Sequence, residues 1–202
     1  YTGVNFSFVM IPDPIPCAIF LFLSLLVSGI GQTIWMSSVY SKRFSRVIDG
    51  GRKFRNRPIF GANKTWRGFV FMVPATGLTF TAIHLLMHWF LGDDFAMWPL
   101  TTIQYFLLGC WTGFGYMLFE LPNSFIKRQL DIQPGASAGT RLTRNMCFII
   151  DQVDSVAGGL LAVWLFVPVP LSTAISLLFI GAVAHYGFNC VLVRMGLRPR
   201  AA

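Results

Sequence analysis

Long apolar runs separated by short polar segments dominate the chain. Five runs are long enough, or nearly so, to cross a hydrocarbon core of about 30 Å, which takes about 20 helical residues. They cover residues 17–39, 68–90, 100–121, 148–168 and 171–193. The pattern therefore predicts an all-α polytopic membrane protein with about five transmembrane helices, in which 1–202 forms a single integral membrane domain.

Composition agrees with a chain whose solvent is mostly lipid. Apolar residues make up 54% of the sequence and charged residues only 12%. A soluble domain of this length has too little interior to hide so much apolar surface.

The basic residues are confined to three stretches of the chain. All 16 Lys and Arg residues lie in 40–67, in 122–147 and in the tail from 194 onward. With five spans these stretches fall on one side of the membrane, and the positive-inside rule places that side in the cytoplasm. We therefore expect an outside N-terminus, a cytoplasmic C-terminus, and a polar site on the cytoplasmic face of the cytoplasmic membrane. Because this topology already explains the charge, no nucleic-acid partner is expected.

Carboxylates near the predicted membrane boundary are the first candidates for chemistry. Asp151 and Asp154 are three residues apart and share one face of a helix. Two such carboxylates repel each other unless a cation lies between them, and hard oxygen ligands suit Mg²⁺ or Mn²⁺. Ionisable residues inside a span are costly and tend to mark function. The alternative is that both lie in the headgroup region and pair with a basic residue: Lys127, Arg128 or Arg144.

The segment 61–68 enters the second predicted span. Its Lys64, Thr65 and Arg67 flank backbone amides that approach a helix N-terminus, which is a favourable place for phosphate. The segment is not a P-loop, because the required glycine and lysine spacing is absent. The alternative is a basic membrane anchor with an interfacial Trp66.

A third polar segment follows the third predicted span. It combines the basic pair Lys127 and Arg128 with the carboxylate of Asp131 and a Pro134-Gly135 turn. By itself this segment is typical of a juxtamembrane loop that binds anionic lipid headgroups. Together with the other two segments it indicates a polyanionic substrate and a metal ion handled at the membrane surface.

Glycines and histidines in the spans favour structural roles. Small residues let helix backbones approach closely in lipid, and we expect this of the glycines in spans three and four: Gly109, Gly113, Gly115, Gly158 and Gly159. His84 and His88 have the i, i+4 spacing of half a zinc site but lack further ligands in sequence reach. His185 is expected to hydrogen-bond a neighbouring helix.

The polar segments, in this order, resemble the CDP-archaeol synthases and, more distantly, the CDP-diacylglycerol synthases (phosphatidate cytidylyltransferases). The matching pieces are 59–68, 123–135 and 151–155, with 184–189 near the end. The resemblance implies a CTP-dependent nucleotidyltransferase of phospholipid biosynthesis. Such an enzyme converts CTP and a lipid phosphate to a CDP-lipid and pyrophosphate, with Mg²⁺, or Mn²⁺ in its place, as cofactor.

The resemblance also implies roles for individual residues. Metal binding is assigned to Glu120, Asp151 and Asp154. Catalysis is assigned to Lys127, Arg128 and Asp131. Contacts with CTP and the lipid phosphate are assigned to seven further residues: Asn63, Lys64, Thr65, Arg67, Ser124, Pro134 and Gly135.

Three departures from the family pattern bear on the substrate. Glu120 stands where Asp is usual, Asn63 stands where Gly is usual, and no Gly-His-Gly-Gly element lies between Gly135 and Asp151. They weigh against a diacyl substrate more than against the reaction class. One alternative function is an inactive relative that acts as a lipid-binding or scaffolding membrane subunit, and another is a transporter of an anionic solute. The oligomeric state is open, and a homodimer is compatible with the sequence.

Overall fold

Five long helices build the protein, which the computed structural model describes over residues 11–92, 97–133, 136 and 139–194. The helices are α1 Pro14–Ser37, α2 Trp66–Leu91, α3 Thr102–Gln129, α4 Arg141–Trp164 and α5 Leu171–Arg194. Between α1 and α2 lie a 3₁₀ helix, Tyr40–Phe44, and a two-stranded antiparallel hairpin, β1 Lys53–Phe54 and β2 Arg57–Pro58. The predicted all-α class is confirmed.

Two helices are longer than the sequence predicts. α3 continues past residue 121 to Gln129 with Pro122 inside it, and α4 begins at Arg141 rather than near 148. The sequence predicts helix ends at a proline and at polar residues, but the extension of α3 places Asn123 and Lys127 against Asp151 of α4, where their polar groups are paired. The added first residues of α4 are mostly exposed. Residues 124–129 are therefore helical rather than loop, and Asp151 lies well inside α4 rather than in its first turns.

Four of the five helices have the length and composition of membrane spans: α1, α2, α4 and residues 171–188 of α5. α3 does not reach the same mean hydropathy because of its glycine, threonine, glutamine and charged residues. It packs against both α2 and α4. The predicted span at 100–121 stays a prediction.

The helices form a closed ring in which each packs against the next and α5 returns to α1. Helices adjacent in the chain run antiparallel, since Ser28 of α1 meets Thr79 of α2 while Trp35 meets Arg67. The neighbours α1 and α5 run parallel, because Thr173 near the start of α5 donates to the Pro14 carbonyl at the start of α1. The ends of α1, α3 and α5 and the starts of α2 and α4 therefore lie together. We call this the charged end, because every described Lys and Arg lies there.

An aromatic cluster closes the ring at the opposite end. The ring of Phe20 meets those of Phe80, Trp98 and Tyr105 edge to face, with centroids 5.0, 5.9 and 5.8 Å away. The Trp98 indole N–H also donates to the Pro168 carbonyl at 2.9 Å. These aromatic side chains pack the interior at this end, and a larger open space lies toward the charged end.

Glycines allow α3 to approach both of its neighbours closely. A methyl group at Gly109 would lie 2.5 Å from the Thr76 carbonyl oxygen, and one at Gly113 would lie 2.5 Å from the Met72 carbonyl oxygen. Gly115 faces Gly158 of α4 in the same way. The predicted packing role is confirmed for these four glycines, whereas Gly159 has only ordinary contacts, 3.5 Å or more.

We expect Gly158→Ala to destabilise the protein, because the new methyl group would collide with the Gly115 carbonyl oxygen and with Phe119. Overpacking of this kind costs about 1–3 kcal/mol. Thermal unfolding in detergent measures it. Gly187→Ala is the matched control, since no described atom lies within 4 Å of that position and alanine is the better helix former. Equal unfolding temperatures for both variants would contradict the close packing of α3 and α4.

Candidate functional site

A cavity of about 810 Å³ opens inside the charged half of the ring, and all five helices line it. Its walls differ in chemistry. α1 and α5 contribute mostly apolar groups, among them Leu25, Leu26, Ile30 and Leu177. The loop before α2 and the facing turns of α3 and α4 contribute charged and amide side chains. The cavity therefore suits a ligand with an apolar part and a highly polar part.

Two ion pairs connect the helices along the polar wall. Lys64, just before α2, lies with its Nζ 2.5 Å from Glu120 Oε2 of α3. Lys127 of α3 pairs with Asp151 of α4. The pairing of Asp151 is the one that the headgroup alternative predicted. Each lysine thus joins two segments that are far apart in sequence.

Two uncharged side chains join the carboxylates to one another. The Asn123 amide donates to Asp151 Oδ1 at 2.6 Å and to Asp154 Oδ2 at 2.7 Å. The Ser155 hydroxyl contacts Glu120 Oε1 at 2.8 Å and Asp154 Oδ1 at 3.2 Å. Neither Asn123 nor Ser155 is among the site residues predicted from the sequence. The spacing of Asn123 and Lys127, one helical turn apart, indicates that both lie on one face of α3, and the structure shows that this face meets α4.

The donor set fits a divalent cation that is held together with a polyphosphate. Three carboxylates face two lysines, which leaves one negative charge, and the ligands are hard oxygens. In the described part of the chain no three His, Cys, Asp or Glu side chains converge closely enough to hold a metal by themselves. Mg²⁺ usually takes only one or two carboxylates and completes its shell with water and substrate phosphates.

Most of the predicted site residues line this single cavity. They come from the loop before α2, from the last turns of α3 and from the middle of α4: Asn63, Lys64, Thr65, Glu120, Ser124, Lys127, Arg128, Asp151 and Asp154. Pro134 and Gly135 lie outside the described residues.

Arg128 lies in the cavity wall but is anchored. Its side chain is buried, and the guanidinium donates to the backbone carbonyls of Ile132 and Phe60, the latter at 3.2 Å. It thereby fixes the end of α3 to the loop that carries Lys64.

Arg67 and Asp131, among the described residues, do not line the cavity. Arg67 donates to the Met36 carbonyl and to the Ser41 hydroxyl, the latter at 2.5 Å, and so joins the start of α2 to the end of α1. Asp131 forms an exposed ion pair with Arg57 of the hairpin. In this conformation both residues hold the loop in place. The catalytic role of Asp131 and the phosphate role of Arg67 stay predictions.

Asp49 organises the loop that presents Lys64. Its carboxylate accepts hydrogen bonds from the backbone N–H groups of Phe60, Gly61 and Gly51 at 2.9, 3.2 and 2.9 Å. Partial burial raises the pKa of Asp49, but these amide donors outweigh it and hold the pKa below its usual value. No sequence motif marks Asp49 for this role.

The histidines of α2 lie far from this site, near the aromatic end. His84 stacks on Tyr105 with ring centroids 3.8 Å apart. A smaller cavity of about 400 Å³ lies beside them. His185 of α5, in contrast, lines the large cavity.

Comparisons with known proteins agree on one family. The family model described as "CarS-like: CDP-archaeol synthase" matches residues 20–200. The CDP-archaeol synthase of Hyperthermus butylicus is 30% identical over 127 residues, which cover 62% of this chain and 62% of that protein. That of Thermococcus onnurineus is 29% identical over 152 residues, which cover 75% of this chain and 79% of that protein.

A solved structure shares the fold. It is described as an intramembrane enzyme for archaeal membrane lipids biosynthesis, and it superposes with a TM-score of 0.60 at 19% identity. The match covers 86% of this chain and 92% of the other.

We expect Asp49→Asn to lower the unfolding temperature at pH 7 by about 2–4 °C, because an amide accepts these hydrogen bonds less strongly. A carboxyl group with a depressed pKa stabilises the fold above its unfolded pKa of about 4 and loses this effect as the pH falls through its folded pKa. The difference from wild type should therefore shrink at pH 3. Asp13→Asn is the control, since Asp13 is exposed and makes no capping hydrogen bond. A difference that does not change with pH would contradict the role of the ionised carboxylate.

Proposed function

The chain belongs to the CarS-like family of CDP-archaeol synthases, and from this premise we propose that it transfers CMP from CTP to an ether-linked lipid phosphate inside the large cavity. The family's reaction is CTP-dependent cytidylyl transfer to a lipid phosphate in membrane lipid biosynthesis. The resemblance read from the polar segments is thereby confirmed, and nothing in the comparisons supports an inactive relative.

The two-sided lining of the cavity is the observation that carries the proposal. A lipid phosphate needs an apolar wall for its chains and a basic wall for its headgroup, and CTP needs only the basic wall. Leu25, Ile30 and Leu177 supply the first, while Lys64 and Lys127 supply the second. A transporter or scaffold would not need a carboxylate cluster at the junction of the two walls.

The reaction requires little general acid or base chemistry from the protein. A nonbridging oxygen of the lipid phosphate attacks the α-phosphorus of CTP, and the bond from that phosphorus to the oxygen bridging the β-phosphate breaks. Pyrophosphate leaves with the bonding electron pair. The nucleophile is already an anion, so no proton has to be removed first. What the protein supplies is positioning and neutralisation of charge.

Lys64 and Lys127 are suited to neutralise the phosphates. In the described conformation each is paired with a carboxylate, Glu120 or Asp151. An arriving triphosphate competes for the two ammonium groups and releases the carboxylates. The freed carboxylate oxygens are then available to a cation that accompanies the nucleotide. Each lysine therefore has an anionic partner both before and after the nucleotide binds.

Asp154, Asp151 and Glu120 are the residues that would hold Mg²⁺ or Mn²⁺ together with the triphosphate. When bound, such an ion offsets the negative charge on the reacting phosphates. Asn123 and Ser155 keep these carboxylates close to one another through their shared hydrogen bonds. They are positioning residues in this proposal.

The acceptor and the sidedness are inferred from different facts. An archaeol-type ether lipid phosphate is suggested by the names of the relatives. The cytoplasmic face is suggested by the charged end, since basic residues near spans favour the cytoplasm.

Product formation by the purified protein is the direct test of the reaction. CTP, Mg²⁺ and a panel of ester- and ether-linked lipid phosphates are supplied, and products are read by mass spectrometry. A CDP-lipid from the ether-linked acceptor supports the proposal. A product only from phosphatidate would overturn the acceptor, and no product from any lipid in a folded sample would overturn the reaction.

We expect Asp154→Asn to lower product formation by about two orders of magnitude or more, because it removes a carboxylate that faces the triphosphate and its cation. Monodispersity in detergent should be unchanged, since the asparagine still accepts from Asn123. Asp13→Asn serves as the matched control. Normal turnover in Asp154→Asn would remove the metal assignment.

We also expect cysteines introduced at Asn56 and at Gly92, in a cysteine-free background, to be labelled from opposite sides of the membrane. Asn56 lies in the exposed turn of the hairpin at the charged end, and Gly92 follows α2 at the aromatic end. An impermeant reagent should reach Gly92→Cys in intact cells but reach Asn56→Cys only after lysis. The reverse pattern would invert the topology.

A further inference from the structure

Gln152 of α4 presents a buried hydrogen-bond acceptor to the large cavity. The residue is 5% exposed and lines the cavity wall. Within the described part of the chain its Oε1 atom has no hydrogen-bond partner. A buried acceptor without a donor is unfavourable, so each case calls for an explanation.

The orientation of the amide is set by its other atom. Nε2 of Gln152 donates to the Phe148 carbonyl at 3.3 Å. Exchanging the two amide atoms would place oxygen against that carbonyl oxygen, which is repulsive. The unpartnered atom is therefore an acceptor. Gln32 of α1 also has an unpartnered Oε1, but its amide contacts only the Met117 sulfur at 3.5 Å, which does not fix its orientation.

Gln152 faces a different side of the cavity from the carboxylates. Asp151, Asp154 and Ser155 point to α3, where their partners lie. Val156, one helical turn after Gln152, lies on the α5 side, since a methyl group at Gly181 would meet it at 3.0 Å. Residues four apart share a helix face, so Gln152 is turned toward α5 as well. A ligand held by both sides would extend from the α3–α4 contact toward α5.

We propose that Gln152 binds the nucleoside part of CTP, with Oε1 accepting a hydrogen bond from an N–H or O–H group. This inference rests on the proposed function. Ionised phosphates and ether oxygens only accept hydrogen bonds, so neither the triphosphate nor an ether-linked lipid phosphate offers the required donor. The nucleoside has two kinds of hydrogen-bond donor, the exocyclic amine of cytosine and the ribose hydroxyls. With phosphates at Lys64 and Lys127, the nucleoside would occupy the α5 side.

The test is a comparison of nucleotide affinities by calorimetry in detergent, using wild type and Gln152→Met. Methionine has nearly the same length and cannot accept this hydrogen bond. We expect the Kd for CTP to rise about ten-fold, the usual effect of losing one hydrogen bond. Gln152→Met should not raise the Kd for the analogue that lacks the donor. That analogue is UTP if the donor is the cytosine amine, because UTP has no amine. It is one of the two deoxy-CTPs if the donor is a ribose hydroxyl, because each of them lacks one hydroxyl.

Gln129→Met is the matched control, because Gln129 lies outside the described cavity lining and donates only weakly to the Pro58 carbonyl, at 3.4 Å. It should bind every nucleotide as wild type does. If Gln152→Met fails to fold, wild type alone tests the assignment, since it should bind the analogue that lacks the donor about ten-fold more weakly than CTP. Equal affinities of wild type for CTP, UTP and both deoxy-CTPs would then overturn the assignment.

Three outcomes would overturn the assignment: an unchanged Kd for CTP, an equal loss for all nucleotides, or a loss confined to the lipid phosphate. These outcomes are distinct from a failure of the proposed reaction. Wild type that binds CTP but forms no CDP-lipid would remove the reaction and leave the assignment of Gln152 in place.

Discussion

Charged groups inside a helical bundle have to be paired, and this requirement shapes the charged end of the protein. A carboxylate or an ammonium group removed from water without a partner is very unfavourable. Here Lys64 and Lys127 each pair with a carboxylate, and Asn123 joins the remaining oxygens. Because the partners come from the α2 entry, α3 and α4, the same contacts that satisfy the charges also fix three segments relative to one another.

Close backbone packing makes this pairing possible. Gly115 of α3 faces Gly158 of α4, and this contact lies about one turn from the polar cluster. A larger residue at either position would move the helices apart, and short side chains such as Asn123 and Ser155 could no longer reach across. The apolar packing therefore sets the distance between α3 and α4 that the side chains of the polar site require.

The ring of helices also decides how two unlike substrates meet. The aromatic cluster around Phe20 occupies one end, and the large cavity lies between an apolar wall on α1 and α5 and a charged wall on α3 and α4. A lipid phosphate and a nucleoside triphosphate share only the need for positive charge. The two lysines lie where both phosphate groups would have to come together, and the acceptor on Gln152 lies to one side of them.

The sequence by itself determined the helical class, the charged end and most of the residues around the cavity. Length, apolar content and the placement of lysine and arginine are local properties, and each can be read without knowing which helices touch. Even so, the polar end of α3 resembles a loop in the sequence, because the partners of its side chains lie far away in the chain. Only the tertiary structure decided that Arg67 and Asp131 brace the loop, that Asp49 shapes it, and that Asn123 and Gln152 face the cavity. The physical reason is that a side chain's neighbours depend on the rotation and spacing of packed helices, which the 3.6-residue period of one helix does not contain.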